Sequence, residues 1–378
     1  MVSNAAAKNN GCLFPALHSS FFDHFTSQLA INNTTKYYTH ISSTDMNTTT
    51  PPPPLFRQIG KGFCGSVWAP DRPGPASAMK REDGGPLRSV AKDSARHITI
   101  ERSLKDAQVR LNLAQRLNMP QHRELIRGDD SAWWRSRSTR FPPTYEPCNT
   151  LITERILPLG FEAREKLVDL FCPERSRSTI KTSRKDEDCL IRPYLGRRRA
   201  NFSCPSPFFT LRNKPLLVHQ LDGLGLPIDE YAEVMADTLA ILYWHAKTDA
   251  NDVEFVLAPP RSGEEDNAFQ SEVLGAHRLW LLDFDCVNLI TLDEAGIEQA
   301  ARAFFRNDPF FPRPDWEHET DRRLWEGFSK RFLESSAAIL GDGKLAQMMI
   351  DRLEELGEER RQNRLNLQAA DEMENLAV

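Results

Sequence analysis

The chain has 378 residues, 40% of them hydrophobic and 27% charged, with a formal net charge of -5. That composition fits a soluble globular protein large enough for one two-lobed domain or two average ones. The acidic balance argues against a general nucleic-acid binder, which needs a basic excess to neutralise phosphates. The 7 cysteines are scattered, with no Cys-x-x-Cys pair and no ordered histidine partners. A disulfide framework and a zinc module are therefore both disfavoured: no zinc is expected, and a reducing compartment is. No apolar run approaches the roughly 18 residues of a membrane span. The N-terminus lacks the basic and apolar regions of a secretory signal, so an intracellular location, cytoplasmic or nuclear, is the expectation.

Residues 1–54 are rich in Asn, Ser and Thr and end in four consecutive prolines. Such polar sequence buries too little to offset ordering entropy, and a disordered arm is expected. Residues 55–158 read as a small β-rich lobe. It opens with Gly60, Gly62 and Gly65, spaced so that backbone N–H groups can approach phosphate oxygens. A dinucleotide fingerprint should open a helix, whereas Ser66-Val67-Trp68-Ala69 is strand-like; the motif is a hairpin. The next short strand ends in Lys80. A glycine hairpin followed by a strand lysine is the arrangement protein kinases use on ATP phosphates; the plainer alternative is a turn and a surface lysine. Helical periodicity over 93–117 offers Glu101 as the carboxylate facing Lys80. The basic loop 127–149 carries Trp133-Trp134, read as a partly buried pair, and 149–158 reads as the last strand and hinge.

Residues 159–226 read as the hinge and a basic insertion, with Arg175, Arg177, Lys181, Arg184, Lys185 and Arg197-Arg198-Arg199. A solvated loop with some strand content around Cys189-Leu190-Ile191 is expected there, its basic runs open to an acidic protein partner. Residues 227–343 read as a helical lobe, beginning with an apolar helix over 227–247. An acidic loop then enters the strand Phe255-Val256-Leu257. A second strand, Leu279-Trp280-Leu281-Leu282, ends in Asp283-Phe284-Asp285. Aligned on a kinase catalytic loop and metal-binding strand, Asp249 takes the position of the catalytic base, and Glu254 and Asp283 take the Mg²⁺ positions. Four departures stand at that end: no His-Arg-Asp precedes the loop, Glu254 replaces an asparagine, Asp285 replaces a glycine, and no Ala-Pro-Glu or long activation segment follows, which favours a small-molecule acceptor over a peptide. Residues 344–378 read as an amphipathic closing helix and tail, with a partner-binding helix as the alternative.

The stretches Thr153-Glu154-Arg155-Ile156-Leu157, Trp244-His245-Ala246, Asp249-Ala250-Asn251-Asp252-Val253-Glu254-Phe255-Val256-Leu257, Leu279-Trp280-Leu281-Leu282-Asp283-Phe284-Asp285 and Asn307-Asp308-Pro309-Phe310-Phe311-Pro312-Arg313-Pro314 resemble a fungal family. It is catalogued as domain of unknown function 3669, and some members carry a zinc finger label. The resemblance spans roughly residues 55–340. It implies a fungal intracellular protein with no assigned activity and supplies no catalytic residues.

The expected fold class is α+β, a two-lobed protein-kinase-like fold with a small β-rich N-lobe and a larger helical C-lobe. ATP and Mg²⁺ are the expected cofactors. Two functions fit: a catalytically degenerate, pseudokinase-like nucleotide-binding or scaffolding protein, and an active atypical phosphotransferase acting on a small molecule. The departures at the reacting end favour the first.

Overall fold

The structure, a computed structural model, describes residues 53–199 and 209–376. The arm expected to be disordered, 1–54, lies outside the described residues apart from Pro53 and Pro54. Every element below belongs to the unit Pro52–Val378.

The glycine motif does form a hairpin. Strands β1 (Phe56–Lys61) and β2 (Ser66–Pro70) pair antiparallel, and β2 pairs antiparallel with β3 (Ser77–Arg81). Helix α1 (Val90–Arg110) follows, its N-terminus capped by Ser89, which accepts from the Lys92 N–H at 3.4 Å. Asp93, His97, Ile100 and Leu104 recur at helical spacing along its buried stripe. After β4 (Leu117–Asn118), β5 (His122–Ile126) and the short helix α2 (Ser131–Arg135), strand β6 (Thr150–Glu154) inserts between β3 and β5. The resulting sheet runs β1-β2-β3-β6-β5 and is antiparallel throughout.

The segment 127–149 is a cover on this sheet. Trp134 and Phe141 join Phe56, Trp68, Met79 and Ile152 in one apolar cluster, with Trp133 packed at its edge. Beneath them lies Arg81, 1% exposed, its guanidinium 4.7 Å from the Phe141 ring centre and 5.1 Å from that of Trp134. Asp83 completes its neutralisation, accepting from Nε at 3.1 Å.

Helices α3 (Phe161–Phe171) and α4 (Glu174–Lys181) occupy the stretch expected to be a solvated basic insertion. That expectation is corrected: Ala163, Leu167 and Val168 lie in the main core, an apolar stripe hidden by a basic overall composition. Next come β7 (Ile191–Tyr194), β8 (Lys214–Leu217), α5 (Val218–Gly223) and α6 (Ile228–Ala240), the last extended by a π-type turn over Ile241–His245. Strands β9 (Glu254–Ala258) and β10 (Arg278–Leu282) complete a second sheet of order β4-β10-β9-β7-β8. Helices α7 (Glu294–Arg306), α8 (Glu319–Leu340) and α9 (Lys344–Leu376) close the helical body. Helix α9 buries Ala346, Met349, Ile350 and Leu353 and packs on α7 and α8. Between α7 and α8, Phe310 and Phe311 are fully buried, and their segment is tied to β7's end by Leu195 N–H to Phe310 O at 3.1 Å. The architecture is thus mixed α+β, two five-stranded sheets with a large helical body. Among the described residues no helix is long and apolar enough to cross a membrane.

Candidate functional site

Strand β10 is central in the second sheet because four consecutive apolar residues suit a strand buried on both faces. Its exit turns sharply: Asp283 has φ 67°, a left-handed conformation uncommon outside glycine and stored most often at functional sites. That turn aims the Asp283 carboxylate across a cleft at the first sheet. Lys80 Nζ meets its Oδ1 at 2.6 Å and Asp93 Oδ2 at 2.6 Å. Asp93, 2% exposed, also accepts from the Phe284 N–H at 3.3 Å. One carboxylate of α1 therefore fixes both the β3 lysine and the backbone after β10. Burial works against the Lys80 ammonium, but Asp283 and Asp93 outweigh it and hold its pKa well above the ordinary value.

The cleft has a volume of about 580 Å³. Val67 and Ala78 of the first sheet face it from one side, and Val256 and Leu282 of the second from the other. The glycine hairpin roofs it. Gly62 N–H donates to Gly65 O at 2.9 Å, and Gly84 and Gly85 N–H groups hold the Cys64 and Phe63 carbonyls at 3.1 and 2.8 Å. Gly65 has φ 152°, and a Cβ there would stand 2.1 Å from Arg81 O. No other residue fits that approach.

At the polar end, each of three cations bridges two carboxylates. Lys80 pairs with Asp93 and Asp283, Arg88 with Asp252 and Asp285, and Arg192 with Glu254 and Asp308. With Lys61, Arg306 and Glu154, which also line the cleft, seven carboxylates face five cations, an excess of negative charge. The acids register it. Burial, with Asp283 beside it, pushes the Asp285 carboxyl up to about 6 despite Lys80 and Arg88. Burial pushes Glu254 up to about 7 against the pull of Arg192, with Asp283, Asp308 and Asp252 adding to the rise. Asp283 goes the other way: burial opposes its charge, but Lys80 holds it below the usual range.

Of the residues expected to act here, Gly60, Gly62, Gly65, Lys80, Glu254 and Asp283 all line the cleft. Glu101 does not reach Lys80. It pairs with Lys105 at 2.7 Å, one turn along the helix, and accepts from the His122 N–H at 3.3 Å. The pairing expected for Glu101 is made by Asp93. Glu254 is held by Arg192, whose NH2 is 2.5 Å from both carboxylate oxygens. Asp249 is 1% exposed and off the cleft. It accepts from Asn251 N–H at 3.1 Å, Asn288 N–H at 2.9 Å, Asn288 Nδ2 at 3.1 Å and Gln299 Nε2 at 2.9 Å. Those bonds make it an anchor for the segment after β10. Asp252, with a side chain 49% exposed, is the carboxylate this loop turns into the cleft.

The stretch that enters the cleft at Asp283 also carries the sequence relationship. Residues 279–344 match the family DUF3669, described as zinc finger protein. The match begins on β10, takes in α7 and α8, and leaves the glycine hairpin and the Asp249–Glu254 loop outside. Asp252, Asp285 and Cys286 are the one group of three potential metal ligands among the described residues, with donor atoms within 4.8 Å of one another and no histidine. No curated protein matches the chain. Among solved structures, similarity is found to a thermostable mutant of the aminoglycoside phosphotransferase APH(4)-Ia in ternary complex with AMP-PNP and hygromycin B. Identity is 11% over 82% of this chain and 95% of that one, with a TM-score of 0.22, too low to establish a shared fold.

Proposed function

We propose that the cleft is a nucleotide-binding site of protein-kinase type, in a two-lobed kinase-like fold that has lost phosphoryl transfer. The observation that carries this reading is Lys80, held at 2.6 Å by both Asp93 and Asp283 beneath the glycine hairpin. Kinases place a β3 lysine on the α/β-phosphates in this way, oriented by an acid of the following helix. A purine would lie between Val67 and Ala78 on one side and Val256 and Leu282 on the other, in a cleft of about 580 Å³ that suits a nucleotide. The order of the first sheet, the helix that carries Asp93, and the paired strands β9 and β10 support the fold reading.

The residues at the polar end fit a divalent cation by donor chemistry, since carboxylate oxygens in excess of nearby cations are what Mg²⁺ takes. Asp283 and Asp285 would hold it; Glu254, with both oxygens on Arg192, would not. Mg²⁺ would neutralise phosphate charge that the acidic end otherwise repels. Loss of transfer is supported by Asp249, which is saturated with hydrogen bonds and withdrawn from the cleft. One observation favours the second reading, an active phosphotransferase on a small molecule: the half-exposed Asp252 carboxylate stands in the cleft, where a general base is needed.

Nucleotide-dependent thermal stabilisation tests the proposal. ATP with Mg²⁺ is expected to raise Tm in the unmodified chain and to leave Lys80→Ala and Asp283→Asn unmoved. No shift with any nucleotide overturns it. Turnover of ATP that is lost in Asp252→Asn would install the second reading instead.

A further inference from the structure

A second cavity, about 390 Å³, lies on the far side of the β6 exit. It is enclosed by the loop after β2, the first turn of α3 and the turn before β7. Five arginines line it: Arg57, Arg72, Arg155, Arg164 and Arg184. They face three carboxylates. Asp188 takes Arg57 at 3.0 Å and Arg155 at 3.1 Å, and Asp71 takes Arg57 at 3.3 Å and Arg184 at 2.7 Å. Glu187, Arg72 and Arg164 are in no ion pair among the described residues. Five guanidinium groups against three carboxylates leave two positive charges in excess.

The position of Arg164 sharpens the point. It stands in the first turn of α3, where the helix dipole disfavours a cation, and although Glu162 shares that turn, Arg164 forms no ion pair among the described residues. The same helix end has Gly160 as its N-cap, with no side chain to accept from the leading N–H groups. Among the lining residues, the Nε atoms of Arg155, itself 7% exposed, and of Arg164 are buried without a hydrogen-bond partner. Bare leading amides and two guanidinium groups without ion-pair partners border one cavity, a donor set that suits an anion.

We propose that this cavity binds a phosphoryl dianion, a phosphomonoester held by the forks of Arg72 and Arg164 and the leading amides of α3. Two negative charges match the excess, and guanidinium groups match phosphate geometry. The site is separate from the cleft of Lys80 and does not rest on the reading given to that cleft. A dianion there ties the loop after β2 to the first turn of α3, so its binding stiffens the connection between the first sheet and the helical body.

The test uses the full chain with inorganic phosphate as the probe, against potassium chloride at matched ionic strength. Phosphate is expected to raise Tm saturably. Titration calorimetry is expected to show affinity falling at least tenfold in Arg72→Gln/Arg164→Gln and unchanged in Lys80→Ala. In the unmutated protein, phosphate is expected to protect Arg164 from phenylglyoxal, which keeps the test valid should the double variant misfold. A response no greater than that of chloride, or one lost in Lys80→Ala and kept in the double variant, overturns the site. The source is assigned by comparison: a phosphoserine peptide that binds at least tenfold tighter than phosphate means the phosphoryl group arrives on a chain, and equal affinity means a free phosphate ester.

Discussion

The assignment of Asp93 as the partner of Lys80 can be measured against Glu101, the residue the sequence put forward. Asp93→Asn keeps the size and one acceptor but removes the charge. The carboxylate is 3% exposed as a side chain and takes Lys80 Nζ at 2.6 Å and Phe284 N–H at 3.3 Å. A hydrogen bond to a charged group contributes about 1.5–3 kcal/mol, and Lys80 retains Asp283, so a loss of about 2 kcal/mol is expected. Glu101→Gln removes only an i,i+4 pair with Lys105, whose side chain is 66% exposed. Such pairs contribute about 0.3–0.5 kcal/mol, and the amide still accepts from His122 N–H. Urea unfolding of the two variants at neutral pH reads the contrast directly, at constant m-value. Equal losses in both would refute the reasoning, because Lys80 would then not depend on the first turn of α1.

Three further outcomes follow from the same geometry. Gly65→Ala forces a Cβ to 2.1 Å from Arg81 O and is expected to cost about 2 kcal/mol or more, whereas Gly62→Ala, with nothing within 4 Å, should stay within about 0.5 kcal/mol, both by urea unfolding. Glu254 is raised from 4.5 to about 7, so the folded chain holds a proton that the unfolded chain has released between those values. Its contribution is therefore full below about pH 4.5 and lost as pH rises through about 7; Glu254→Gln should remove that downward slope of stability with pH. Asp249→Asn turns an amide N–H₂ toward Asn288 or Gln299 donors and is expected to cost about 2 kcal/mol in urea unfolding while leaving nucleotide affinity, read by titration calorimetry, unchanged.

Much of the cleft was legible because its parts are local. The glycine hairpin, the strand lysine and the Asp-Phe-Asp exit each declare themselves within a few residues, and the structure brings all three to one space. Asp93 carried a signal that periodicity could have found: it is the first carboxylate on the stripe that continues through His97, Ile100 and Leu104, while Glu101 sits off that stripe. Arg88 and Arg192 had none, since each meets its carboxylates only through tertiary contacts. Asp249 was misplaced for a different reason. Spacing assumes an ordinary loop, but Lys247, Ala250 and Asp252 have φ of 53°, 50° and 63°, and those left-handed turns put Asp249 inward and Asp252 toward the cleft. The basic insertion was misread because composition masked the apolar stripe of Ala163, Leu167 and Val168.

The most direct test of the central claim is titration calorimetry of ATP with and without Mg²⁺, on the unmodified chain and on Lys80→Ala, paired with an ATP turnover assay. The account predicts binding that strengthens at least tenfold with Mg²⁺, is lost in Lys80→Ala, and proceeds without turnover. No binding of any nucleotide under either condition, or binding that Lys80→Ala leaves intact, would contradict it.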